Sequence, residues 1–280
     1  MQKFNLHSHT EFCDGKGSIE ENIISAIKKN FSTFGFSSHA PLKFDNKFSL
    51  PYNLLPKYIE QIELAKIKYQ DDISIFKGLE CDYIPNLNYS FAELKEKFNL
   101  DYIIGGVHLV SIKNSNNLWF IDGSKRESYD NGLRDFYNND IKSAVKSYFN
   151  QIFEMINYET FDILAHVDKI KMHNANRFFS EDEKWYRNLC YECVSYIAEK
   201  DIIMEINSRG IYKKRCPDFY PSHFVLKEAK QKNVRITLSS DCHTLEEQDL
   251  LLNEAALFAK SVGYSDYWTL TKLGWQPVIL

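Results

Sequence analysis

Two spacings of apolar residues alternate along this chain. Short β-rich runs occur at Lys3–Ser8, Thr33–Ser38, Ile73–Leu79, Tyr102–Val107, Asp162–Ala165, Ile202–Ile206 and Arg235–Ser239. Between them the apolar residues fall at helical spacing, as in Ser18–Asn30, where Ile19, Ile23, Ile24 and Ile27 share one face. The same spacing predicts helices over Leu54–Tyr69, Phe91–Phe98, Asp140–Asn157, Glu181–Lys200, Ser222–Lys232 and Glu246–Val262. Three of these open with a Ser or Thr followed three residues later by Glu: Ser18/Glu21, Ser180/Glu183 and Thr244/Glu247. In that pairing each side chain can bond the other's backbone amide at a helix start. The stretches from Ile73 to Phe76 and from Tyr102 to Gly105 are almost continuously apolar, as strands covered on both faces require. Seven strands alternating with helices predict an α/β fold built on a parallel sheet.

Only Ser111–Asn139 breaks the alternation. It is polar, carries Asn114, Asn116 and Asn117, and reads as an insertion after the fourth strand of one domain spanning residues 1–280. The length suits an α/β barrel, which commonly takes about 250 residues. A net charge of −4 argues against a nucleic-acid backbone as partner. No apolar run approaches the ~18 residues of a membrane span, and MQKFNLHSHT lacks the basic-then-apolar pattern of a signal peptide. A cytoplasmic setting is therefore expected. The six cysteines form no secreted-type framework. Cys190 and Cys193 read as two small apolar residues one helical turn apart.

The eight histidines are not scattered evenly. His7 and His9 end the first predicted strand, His39 the second, His108 the fourth, His166 the fifth and His243 the seventh. Glu80 ends the third, Asp241 stands two residues before His243, and Asp14 follows His9 by five. In parallel α/β folds these strand ends share one face, where active sites form. Imidazole nitrogen and carboxylate oxygen are the donors that suit zinc, manganese and iron. His7 and His9, two apart on a strand, point to the same face. Six imidazoles and three carboxylates exceed the four donors of one tetrahedral site, so two to three divalent ions are expected. His173 and His223 fall outside strand ends, in loops on the same side, and read as ordinary loop residues.

The segments FNLHSHTEFCDG, FGFSSHAP, GLECDYI, IIGGVHLV, ILAHVD and SSDCH, in that order, resemble the metal-binding motifs of the PHP family, named for polymerase and histidinol phosphatase domains. The resemblance runs from His7 to His243, and the closing GYSDYWTLTKLGWQPVIL looks like the tail of the free-standing phosphatase branch. It implies a distorted, TIM-like (β/α)7 barrel with a trinuclear centre at the C-terminal strand ends. His7, His9, Glu80 and Asp241 would hold one ion. Glu80 would bridge to a second, also held by His108 and His166. Asp14, His39 and His243 would hold the third, Asp14 standing where some relatives have histidine. The implied activity is hydrolysis of L-histidinol phosphate, a step of histidine biosynthesis, by a metal-bridging hydroxide. Other phosphoesterases of the family, acting on nucleotide phosphates, and a non-catalytic module are the alternatives. Three divalent ions, offset by three carboxylates and one hydroxide, leave a surplus of two positive charges, which matches a phosphate monoester dianion.

Other groups complete the expectation. Arg209, after the sixth strand, can grip phosphate with its planar fork, and Arg177 is the second candidate. Asp14, His39 or His223 could protonate the leaving oxygen. Trp119, Phe120 and Asp122 in the insertion could meet the imidazole and ammonium of the substrate, with the insertion folding over the mouth as a lid. Cys13, Cys81 and Cys242 adjoin predicted ligands and read as packing residues.

Overall fold

A computed structural model describes residues 3–280. Four parallel strands come first: β1 (Lys3–Asn5), β2 (Phe31–Phe36), β3 (Ser74–Asp82) and β4 (Tyr102–Gly106). A small antiparallel hairpin follows, β5 (Leu109–Ser111) and β6 (Leu118–Phe120). The parallel sheet then resumes with β7 (Ile163–Leu164), β8 (Ile203–Asn207) and β9 (Ile236–Ser239), in the order β1-β2-β3-β4-β7-β8-β9. All seven predicted strands are present, with ends shifted by at most three residues. Helices lie between them, among them α1 (Ile19–Lys28), α2 (Leu55–Lys68) and α3 (Phe91–Phe98).

The sheet curls until β9 comes back beside β1. No ladder joins these two strands. Just past their ends Ser8 bridges Cys242, and the His9 amide donates to the Cys242 carbonyl at 2.9 Å. The Asn5 side-chain amide reaches across the same seam to Ser240 Oγ at 2.8 Å and to the Gln248 carbonyl. The result is a distorted seven-stranded barrel, nearly closed. Its interior holds Leu6, Phe76, Tyr102, Ile104, Ile163, Ala165 and Ile203, packed against Leu270 with Trp268 and Trp275. Those last three belong to a hairpin that the apolar spacing does not predict, and it stops the lower end of the barrel. A second, larger core lies between the outer face of the sheet and the helices.

The helix starts follow the capping expectation in part. Ser18 and Glu21 make both reciprocal bonds at α1. Ser180/Glu183 lies one turn early: the helix Lys184–Glu199 begins with Glu183 as its cap residue. Thr244/Glu247 does not cap at all, and the helix expected from Glu246 begins at Leu252. Glu247 is drawn instead to the His243 amide and to Arg209 and Lys213.

The Ser111–Asn139 stretch is not an irregular loop. It completes the β5–β6 hairpin and then forms helix α4 (Arg126–Tyr137). Trp119 is fully buried there, with Nε1 donating to the Tyr129 carbonyl at 3.1 Å. Gly132 is required: a Cβ at that position would come within 2.0 Å of the Trp119 ring. Among the described residues no helix is long and apolar enough to cross a membrane.

Candidate metal centre

All nine predicted donors meet at the C-terminal rim of the barrel. Glu80, in β3, is the hub. One oxygen lies 3.2 Å from His7 Nε2, 3.4 Å from His9 Nε2 and 3.2 Å from His39 Nδ1. The other lies 3.1 Å from His166 Nε2 and 3.4 Å from His108 Nε2. Asp241 faces His7 at 3.7 Å and His9 at 3.4 Å. Asp14 forms the outer edge, 3.3 Å from His243 and 3.8 Å from His39. Three clusters have donor atoms close enough to share an ion: His9, Asp14, His39 and His243; His7, His9 and Asp241; and His39, Glu80 and His108.

Local backbone explains the convergence. Gly15 lets the first loop fold back on itself, since a Cβ there would meet the His9 carbonyl carbon at 2.5 Å. His166 and Asp241 sit in left-handed backbone, at φ 28° and 50°. Such conformations are uncommon outside glycine and asparagine and cluster at functional sites.

The chemistry of the cluster fits bound cations. His7 Nε2 and His9 Nε2 are buried without a hydrogen-bond partner. His108 Nε2 and His166 Nε2 lie only 3.1 Å apart, both turned toward Glu80, so one proton at most can sit between them. Burial opposes charge on His7, yet Glu80, Glu205 and Asp241 outweigh it and push its pKa up to about 10. Burial likewise opposes charge on His108, but Asp82 and Glu80 push it up to about 10. Burial lowers His39 to about 3 despite Glu80, and lowers His243 to about 4 with help from His9 and Arg209. Carboxylates this deeply buried need positive charge, and the imidazoles share it unevenly. A divalent ion would replace those protons.

Outer partners fix the rings. His7 Nδ1 lies 2.5 Å from Glu205, whose second oxygen accepts from the His166 amide at 2.9 Å. Ser239 Oγ also donates to Glu205. His108 Nδ1 faces Asp82 at 3.2 Å, and Asp82 accepts from the His108 amide. A carboxylate behind an imidazole is the usual support of a metal-binding histidine. The pattern of strand-end histidines does not reveal Glu205 or Asp82, because acids inside strands carry no spacing signal.

A cavity of roughly 340 Å³ opens above the cluster. Arg209 lines it, with Nη1 donating to the Asp241 carbonyl at 2.7 Å. Asp122 and Phe120 line it too, as do Lys169 and Phe48, which no motif or spacing marks. Lys169 Nζ is buried 2.8 Å from Asp122.

Three expected site residues lie elsewhere. Arg177 is committed to Asp130, with both guanidinium NH groups within 2.8 Å, and to the His173 carbonyl. Trp119 is core. His223 is the exposed first residue of helix α8 (His223–Gln231), with its ring against Phe258. His173 is buried at the Gly123 carbonyl. The cysteines are all free, and Cys81, Cys190, Cys193 and Cys242 are buried as packing residues. Cys13 differs, its sulfur lying 3.5 Å from His9 Nδ1.

Comparison with known proteins extends this picture. The PHP domain model matches residues 5–209. The histidinol-phosphatase of Bacillus subtilis is 26% identical over 87% of this chain and 94% of its own length. A crystal structure from Listeria monocytogenes superposes with a TM-score of 0.79 at 21% identity, covering 90% of this chain and 99% of that one. The histidinol phosphate phosphatase of Lactococcus lactis, determined with zinc, L-histidinol and phosphate, superposes with a TM-score of 0.69 at 21% identity, covering 98% and 99%.

Proposed function

This chain belongs to the PHP domain family, and from that premise we propose that it is a metal-dependent phosphomonoesterase hydrolysing L-histidinol phosphate to L-histidinol and phosphate. One observation carries the reading: six imidazoles and three carboxylates converge in one cluster, and Asp14, His39, Glu80, His108, Asp241 and His243 of that cluster line a cavity that also holds Arg209. Curated relatives that match nearly end to end support the choice of substrate.

In this reading His7, His9, Glu80 and Asp241 hold one ion, Glu80, His108 and His166 a second, and Asp14, His39 and His243 a third. Two to three zinc, manganese or iron ions would supply a Lewis acid for the phosphoryl oxygens and an activated water. The protein's own groups do the rest. Arg209 Nη1 is anchored on the Asp241 carbonyl, beside Tyr212 and Glu247, and the guanidinium lines the cavity, where it would orient a phosphate oxygen. Lys169 adds a fixed positive charge to the wall, held protonated against burial by Asp122 and Asp241. Asp14 and His39 stay at the cavity as candidates for protonating the leaving oxygen, and His223 drops out. The partner is a small phosphomonoester, not nucleic acid, and the setting is cytoplasmic.

Elemental analysis of gently purified protein, combined with a panel of phosphomonoesters, tests this. Divalent metal with preferential turnover of L-histidinol phosphate is expected. Metal-free protein with full activity, or indifference to L-histidinol phosphate, refutes it.

A further inference from the structure

Two large rings stand outside both hydrophobic cores. Phe48 comes from the loop after β2 and Phe120 from the end of β6; both line the cavity and lie nearly parallel, with centroids 6.0 Å apart and 13° between planes. Phe120 is 40% exposed. Leaving an aromatic surface in water is costly, at about 25 cal/mol for each Å².

Both rings are nevertheless held in place. The Asn46 side chain accepts from the amides of Phe48 and Ser49, at 3.1 and 2.8 Å, which fixes that loop. Phe120 is on the opposite face of β6 from buried Trp119, so the core anchors the strand and presents the ring outward. The rings also rise directly from the donor cluster. Phe48 meets the His39 ring edge-on at 5.6 Å. Phe120 pairs with Leu109, next to His108, and the Ile121 amide donates to the His108 carbonyl at 3.0 Å. His39 and His108 flank Glu80. A phosphoryl group seated on those donors would carry its ester substituent against the two phenyl faces.

We propose that Phe48 and Phe120 form a platform that selects phosphomonoesters whose short amino-alcohol chain bears a flat ring. This rests on the phosphatase reading and names the groups that recognise the substrate's imidazole. Centroids 6.0 Å apart leave no slot for a third ring between them, so the imidazole packs on their shared outer surface.

The test compares L-histidinol phosphate with 2-aminoethyl phosphate, which keeps the amine and phosphate and lacks the ring. In Phe120→Leu, kcat/KM for the first should fall about tenfold, the value of one aromatic pair, with the second unchanged. Phe120→Trp should retain the preference, and the melting temperature should not move, since the ring is outside the core. Equal losses on both esters, or no loss on the first, would overturn the platform while leaving the phosphatase reading intact. Wild-type protein inactive on both esters would overturn that reading, and the platform with it.

Discussion

Lys169 places its ammonium 2.8 Å from a carboxylate oxygen of Asp122, on the wall of the cavity and three residues after His166. Asp122 was expected to meet the substrate's ammonium. It already has a cation. Lys169 is almost wholly buried and Asp122 largely so.

Removing the carboxylate should therefore harm the fold before it changes specificity. Asp122→Ala takes the nearer carboxylate from a buried ammonium and leaves only Asp241, 4.0 Å away, which costs up to about 3 kcal/mol. Adding Lys169→Met should restore part of that loss, because the poorly compensated charge goes with it. Urea unfolding of the two single variants and the double variant reads the coupling. Strict additivity would mean that the pair contributes nothing as a pair.

Arg209 and Arg177 should separate cleanly in kinetics. Losing a charge-assisted phosphate contact costs about 1.5–3 kcal/mol, so Arg209→Ala should raise KM for a phosphomonoester by roughly 10- to 100-fold. Arg177→Ala, which breaks a pairing with Asp130 away from the cavity, should leave KM where it was. Steady-state kinetics with metal content measured in parallel decides it. An unchanged KM in Arg209→Ala removes that residue from the site.

Glu205 supports two of the proposed ligands at once, through the His7 ring and the His166 amide. Glu205→Gln should weaken metal binding by about 10- to 100-fold, in line with other losses of outer-shell support. Competition against a chromogenic chelator measures this. Wild-type affinity in the variant would show that His7 needs no carboxylate behind it.

The metal-free protein should be most stable near pH 6.5. His7 and His108 have folded pKa values raised to about 10, so their contribution is full below the unfolded value and is lost as pH climbs toward 10. His39 and His243 have folded values lowered to about 3 and 4. The unfolded chain binds more protons there, so stability falls as pH drops below the unfolded value. The two arms meet at the ordinary histidine value, about 6.5. Chemical denaturation of chelated protein from pH 4 to 9 traces the curve. Monotonic behaviour across that range would contradict the assignment.

The nine donors were legible because strand ends share a face and histidine is rare enough for six in one phase to stand out. What stayed hidden follows from physics that spacing does not carry. Trp119 and Phe120 are adjacent, and both looked available to substrate. Alternation along β6 sends one into the core under Gly132 and the other into the cavity. Arg177 was plausible by position, but its partner Asp130 sits on α4, a predominantly polar helix within the stretch that composition marks as an insertion. Phe48 and Lys169 depend on how loops fold back, which no local pattern encodes. The terminal hairpin was missed because its strands alternate poorly and its core contacts are with strands far away in sequence.

The seam between β1 and β9 bears on how the protein breathes. His7 and His9 lie on one side of it, Asp241 and His243 on the other, and backbone bonds, the Asn5 amide and the Lys3–Asp249 ion pair fasten it in place of a strand ladder. An ion held by His7, His9 and Asp241 would be a clasp across that slit. Loss of the ion and opening of the barrel are then one event, and solvent exchange at the His9 and Cys242 amides becomes a gauge of metal occupancy.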